Sequence, residues 1–305
     1  MPANVLSDQQ IERYRTCGWV LLEDVVPEAK LQAAAESLRS REAAQAVART
    51  DRYNESGRID FQKIPNLARR DEAFRALACT PAVTAAVAQL LEQEPLLFRD
   101  VMICKPARDG ASLDYHQDSA YWDVEPRALI SAWMPFRDVA PADGCLRVID
   151  GTHRGTYEHE IQLGDGRALP RFATAALRGL ASRAGTGDSD ASGSKLARRL
   201  KNATLGALTR HVSVLAKLQD LHARVPMAEQ DRAIDVPMRA GSVLLFHSML
   251  LHASGPNTSD RDRPAYIASY LGVDYTFVGV GEPEFLAVQQ PGPARFTAIK
   301  RGHRT

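Results

Sequence analysis

The residues with the most chemical potential stand in two short segments. Tyr115-His116-Gln117-Asp118 sets a histidine and a carboxylate two positions apart. On an extended segment such residues point the same way, so His116 and Asp118 can grip one ion from a single strand end. Far along the chain, Leu250-Leu-His-Ala-Ser-Gly-Pro-Asn257 supplies His252. Two histidines and one carboxylate form the facial triad that holds non-haem Fe(II) in oxygenases. The set is useful because it is incomplete. It leaves iron positions open for a chelating 2-oxo acid and for dioxygen.

Each signal has a plain alternative. A lone His-x-Asp arises by chance on surface turns, and an isolated histidine is more often an ordinary side chain. The combination gains weight from Arg263, which lies just ahead of a strand starting at Tyr266. A guanidinium fork binds a carboxylate through two charge-assisted hydrogen bonds. Without the triad, Arg263 reads as a solvated loop arginine. His247 competes with His252, but residues five apart on one strand face opposite sides, so only one can point inward. His153 and His159 read as loop histidines. Zinc accepts the same three ligands, so a zinc hydrolase or a non-catalytic jelly roll is the competing class. Arg263 discriminates, because such proteins need no distal carboxylate anchor.

These residues must be positioned by strands. Leu96-Leu-Phe98, Val101–Cys104, Ala128–Met134, Leu146–Ile149, Ser242–Phe246 and Tyr266–Leu271 have strand character, punctuated by Gly, Pro, Asp and Asn. Helices come first. Ser7 and Gln10 form a capping box for a helix that stops near Gly18, and Trp19–Leu22 follows as a strand. Residues 28–48 favour helix, as do Asp71–Ala78 and a stretch to about Glu92, with Thr80 as N-cap and Pro81 at the first helical position. Helices followed by many short strands imply a mainly β fold with flanking helices, a β-sandwich or jelly roll. Residues 170–232 break this rhythm. Ala184–Ser194 has linker composition, and Leu196–Leu221 has the spacing of a basic amphipathic helix: a helix packed on the barrel, or a lid.

The bulk numbers exclude some classes. The 305 residues carry a formal net charge of +1, so no global field argues for nucleic acid or an anionic membrane. The polar N-terminus lacks a signal-peptide pattern, and no apolar run is long enough to span a bilayer. The four scattered cysteines lack CxxC spacing, which argues against a zinc knuckle or an iron–sulfur cluster. They read as reduced thiols of a cytoplasmic protein. Oligomeric state is not readable.

At these residues the sequence resembles the phytanoyl-CoA dioxygenase family of Fe(II)- and 2-oxoglutarate-dependent oxygenases. The blocks are Gln62–Leu67, Phe98-Arg-Asp100, Lys105-Pro106, His116–Trp122, Ser131-Ala-Trp133, Asp143–Ile149 and Leu251–Asn257, in family order. The resemblance implies a single domain over 1–305 with a double-stranded β-helix core (jelly-roll, cupin-like). Its helical N-terminal part would cover about 1–94, its core about 95–280 and its helical insert about 170–232. It implies iron on His116, Asp118 and His252, with dioxygen and 2-oxoglutarate as co-substrates. Arg263 would bind the distal carboxylate. Lys63 would reach 2-oxoglutarate from the helical region, with a solvated surface lysine as its alternative. Ser254 would hydrogen-bond the cosubstrate, or form a turn. Trp133 would lie near it, or be core packing. Asp118 favours hydroxylation over halogenation, because related halogenases carry a small residue there. The substrate would be a small molecule or a carrier-bound or natural-product intermediate, and Tyr121, Trp122 and Arg127 are candidates to line its pocket or are ordinary loop and core residues.

Overall fold

The computed structural model describes residues 5–43, 50–120, 122, 124–162, 220–277, 284–287 and 296–298. The first helix, α1 (Asp8–Cys17), begins as its sequence demands. Ser7 Oγ accepts from Gln10 N–H, and Gln10 Oε1 accepts from Ser7 N–H at 2.9 Å. Gly18 ends it in the left-handed region at φ 89°. Strand β1 (Trp19–Leu22) follows, then α2 (Glu28–Ala43). Asp71 caps α3 (Glu72–Ala78), accepting from the Ala73 and Phe74 amides. Pro81 opens α4 (Pro81–Leu91). Thr80 is its N-cap by position, but its hydroxyl makes no capping bond and donates to Ala76 O instead.

The strands form a jelly roll of two main sheets. The larger contains β1, β12 (Val243–His247), β7 (Ile130–Pro135), β14 (Arg263–Gly272) and β4 (Pro95–Lys105), in that order. The smaller runs β11 (Ile234–Val236), β8 (Leu146–Val148), β13 (His252–Ser254), β5 (Leu113–His116). All these pairings are antiparallel. The helices cover the outer face of the larger sheet, where Phe74, Leu77 and Val87 pack against Met134, Leu245 and Tyr266. A second core fills the space between the sheets, with Trp133, Leu244 and Phe246 facing Leu146 and Val148. The period of two in β7 and β12 separates these two cores.

One expectation needs correction. The first third of the chain is not simply helical. A hairpin, β2 (Thr50–Tyr53) and β3 (Ile59–Pro65), extends the larger sheet beside β4. Asn54 Oδ1 holds its turn by accepting from the Ser56 and Arg58 amides. The alternation of Phe61 and Lys63 with Gln62 and Ile64 is that of a strand with two distinct faces. The basic helix expected over Leu196–Leu221 falls almost wholly outside the described residues, as does the linker before it. What is described is that Gln162, in β9 (His159–Gln162), pairs with Asp220, in β10 (Asp220–Ala223). A short helix, α5 (Met227–Gln230), leads on to β11. Among the described residues, no single helix is long and apolar enough to cross a membrane.

Candidate metal and cosubstrate site

His116 ends β5, and His252 opens β13 directly opposite it. Their rings lie 4.2 Å apart, centroid to centroid, and both side chains are buried. His116 Nδ1 donates to Asp114 O (2.8 Å), and His252 Nδ1 to Leu250 O (3.0 Å). Those carbonyls can only accept, so each Nε2 keeps its lone pair, as a metal ligand requires. Burial first, and then the His252 ring beside it, hold His116 well below the usual histidine range. It stays neutral at physiological pH.

Asp118 joins them by a different route from the extended one expected. The strand stops at His116, and Asp118 opens a 3-10 turn (Asp118–Ala120). Its Oδ1 lies 3.7 Å from each histidine Nε2. One ligand atom from each of the three residues falls within a single 4.8 Å cluster. The other oxygen, Oδ2, accepts from Ser131 Oγ at 2.8 Å, and Ser131 Oγ lies 3.1 Å from Ser269 Oγ. The carboxylate is therefore offered to the cluster through one oxygen.

Gln117 points away, as alternation requires, and ties the segment down. Its amide donates to Gly155 O and Met249 O, and its backbone N–H donates to His159 Nε2 at 2.9 Å. His159, expected as a loop residue, thus stands on β9 behind the triad. His247 faces away from the triad, beside Tyr14 and His153. His247 ends β12 in the larger sheet and His252 opens β13 in the smaller one, so a change of sheet, not alternation along one strand, separates them.

Arg263 is 2% exposed and lies over the Trp133 ring at 5.6 Å. Its Nε has no hydrogen-bond partner among the described residues. Burial pulls the guanidinium down to about 10, still cationic near neutrality. An unmet buried donor of this kind fits an incoming carboxylate. Asn257 fixes the loop that delivers it, donating to Lys105 O, Pro106 O and Arg261 O. Gly144 lets the preceding turn close on the same loop. At φ 71°, a Cβ there would stand 2.5 Å from Gly255 O. Lys63 comes from β3, not from a helix. It pairs with Ile103 of β4, and its charge acts on His116. Ser254 already has a partner in the chain. Its Oγ accepts from Lys105 Nζ at 2.6 Å, and Lys105, wholly buried, also donates to Ser254 O and Gly255 O. Trp133 is buried in the inner core and is also the surface under Arg263. Arg127 is half exposed and paired with Glu125, so it belongs to the surface. Tyr121 lies outside the described residues.

The profile of the Phytanoyl-CoA dioxygenase (PhyH) family matches residues 14–265. The chain belongs to this family. A phytanoyl-CoA dioxygenase domain-containing protein 1 homolog of Caenorhabditis briggsae is 23% identical over 197 residues, covering 64% of this chain and 53% of its own length. The chain thus spans about half the length of the curated relatives of that type. The peroxisomal phytanoyl-CoA dioxygenase of Homo sapiens is 21% identical over 300 residues, covering 91% of this chain and 72% of its own. Among solved structures, the epimerase SnoN in complex with Fe3+, alpha ketoglutarate and nogalamycin RO superposes with TM-score 0.62 at 17% identity. The match covers 99% of this chain and 97% of that one. EctD from S. alaskensis, in its apoform, gives 0.61 at 18%, covering 99% and 90%. These likenesses establish the double-stranded β-helix fold.

Proposed function

We propose that the chain is an Fe(II)- and 2-oxoglutarate-dependent oxygenase that hydroxylates an unactivated C–H bond of a small-molecule or carrier-bound substrate. One observation carries this reading. A His-His-Asp cluster with both histidines buried and a buried arginine with an unmet donor share one jelly roll. His116, Asp118 and His252 would hold the iron. Arg263 would bind the distal carboxylate of 2-oxoglutarate, with Lys63 contributing charge from β3. Bound iron supplies the oxidation, in which dioxygen and 2-oxoglutarate yield succinate, carbon dioxide and one oxygen atom for the substrate.

The rest is done by the chain. Ser131 engages Asp118 Oδ2 and leaves Oδ1 as the oxygen that would hold the iron. The Nδ1 donations of the two histidines orient both rings. Trp133 and Phe246 form apolar walls that keep water out, and Phe246 lies 4.6 Å from the His252 ring. The Asp118 carboxylate occupies the place a halide would need, which favours hydroxylation over halogenation. A zinc hydrolase or a non-catalytic jelly roll would have no use for Arg263. Similar proteins include an epimerase, a carbocyclase and L-proline trans-4-hydroxylase, so this fold serves more than one reaction outcome. Anaerobic titration with Fe(II) and 2-oxoglutarate tests the reading. A visible charge-transfer band that saturates with 2-oxoglutarate is expected, and its absence sinks it. A metabolite screen scored by substrate-dependent succinate then identifies the substrate.

A further inference from the structure

We propose that Arg99 is the substrate-recognition residue of this site, and that the substrate carries an oxyanion, either a carboxylate or a phosphate. The inference rests on the oxygenase reading above and extends it.

The argument starts from register. Across the larger sheet, Ser131 of β7 pairs with Ser269 of β14, and Ser269 pairs with Arg99 of β4. Cross-strand partners share a face. Ser131 and Ser269 point inward, since Ser131 holds Asp118. Arg99 therefore lies on the inner face, two strands from Ser131, roughly 10 Å away between backbones at ordinary strand spacing. Val101 and Ile103 continue that face along β4, packing with Phe61 and Ile267.

Arg263 sits on the same face of β14, six residues from Ser269, which is roughly 20 Å along the strand. The interior thus has an arginine towards each end. One belongs to the cosubstrate. The row nearest Asp118 carries the other.

The surroundings of Arg99 are those of a receptor for an anion. Its guanidinium lies over the Trp122 ring at 5.6 Å, and Phe98 braces that ring edge-on at 5.3 Å. Arg99 is half-buried and has neither hydrogen bond nor ion pair from its side chain among the described residues. The carboxylate next to it in the chain, Asp100, points to the opposite face and accepts from Ala68 N–H. Trp122 Nε1 is buried and also lacks an acceptor. A planar cation and an indole N–H, neighbours on the wall of the catalytic interior, both lack an acceptor. One oxyanion would satisfy the pair through charge-assisted bonds. Trp122 lies four residues after Asp118, so the turn that delivers the metal carboxylate also delivers this wall.

The experiment uses the Fe(II)–2-oxoglutarate complex without dioxygen, at saturating 2-oxoglutarate, titrated calorimetrically with hexanoate, hexyl phosphate and hexanamide. At least one anion should bind the wild-type protein about ten times more tightly than the neutral amide. Which anion leads distinguishes carboxylate from phosphate. Arg99→Gln should erase the preference, and Arg99→Lys should keep part of it. A wall residue with only a packing role would not change charge preference. Equal binding of all three probes, binding of none, or a preference that survives Arg99→Gln overturns the proposal. The charge-transfer band separates the two readings. If it forms equally in wild type and Arg99→Gln while no anion preference exists, only the role of Arg99 falls. If it fails to form in wild type, the oxygenase reading falls with it.

Discussion

Two pairs of histidines, one buried and one partly exposed, occupy opposite sides of the larger sheet, and they have different fates. The His116 and His252 rings lie 4.2 Å apart, tilted by 50°, with Asp118 Oδ1 equidistant from both Nε2 atoms. His153 and His247 stand 5.3 Å apart, with Tyr14 as the third ring. The second pair is spent on the fold. His247 Nδ1 accepts from Met249 N–H, and His153 Nε2 donates to Arg15 O. Paired histidines alone therefore do not make a metal centre. What separates the two pairs is a carboxylate aimed at both free Nε2 atoms, and a serine that keeps it aimed.

The sharpest way to break this comparison is to remove the carboxylate. Asp118→Ala should lower iron affinity by at least about a hundredfold and abolish turnover, while far-UV circular dichroism stays unchanged. His247→Asn should retain stoichiometric iron. Equal iron content in the two variants would show that the wrong pair was chosen. Next in size is the distal anchor. Arg263→Ala should raise the 2-oxoglutarate requirement roughly ten- to a hundredfold with little change in iron binding, since a charge-assisted hydrogen bond contributes about 1.5–3 kcal/mol. Lys63→Ala should act in the same direction and less. An unchanged requirement in Arg263→Ala, with a raised one in the exposed Arg261→Ala, would move the anchor to Arg261.

Ser131→Ala probes the aiming itself. Iron affinity, read by competition with a chelator, should fall about tenfold, while Ser131→Thr should restore much of it. Wild-type affinity in Ser131→Ala would leave the hydroxyl without a role in ligation. The smallest effect belongs to the other pair. Burial first, and then His153, hold His247 at about 4, against roughly 6.5 in an unfolded chain. The unfolded chain takes up this proton first. Stability should thus be complete above about pH 6.5 and decline as pH falls towards 4, by about 2 kcal/mol at pH 5. Urea midpoints at pH 7 and pH 5 should differ less in His247→Asn than in wild type. Identical shifts would assign the acid sensitivity elsewhere.

The triad was legible because ligand chemistry restricts residue types and spacing. Alternation along one strand implied only that His247 and His252 could not both point inward, and the structure puts them on strands of different sheets. The jelly roll was legible for a similar reason, since short apolar runs punctuated by turns have few other solutions. Other features were hidden by their neighbours. Ser131 lies in an apolar strand and looks like filler, and only cross-strand register brings it to Asp118. Lys105 reads as a strand-end lysine, yet it is buried and holds Ser254. The β2–β3 hairpin had visible signals, Asn54 and Gly57 in the turn and alternation from Ile59 onward. A sequence reading that expected helices before Pro95 passed over them. His159 could not be placed, because its role is to receive a backbone N–H from a residue 42 positions earlier.

The pairing of Gln162 with Asp220 brings two residues far apart in the chain together. The chain leaves the described residues at Gln162 and re-enters them at Asp220, through two strands in fixed register beside β5. Lengthening a closed loop is entropically cheap, about 0.6 kcal/mol for each doubling. A short insertion between the two strands that leaves their pairing intact should therefore cost little folding stability. The β9–β10 register is thus what holds the two ends of the intervening chain next to the strand that carries His116.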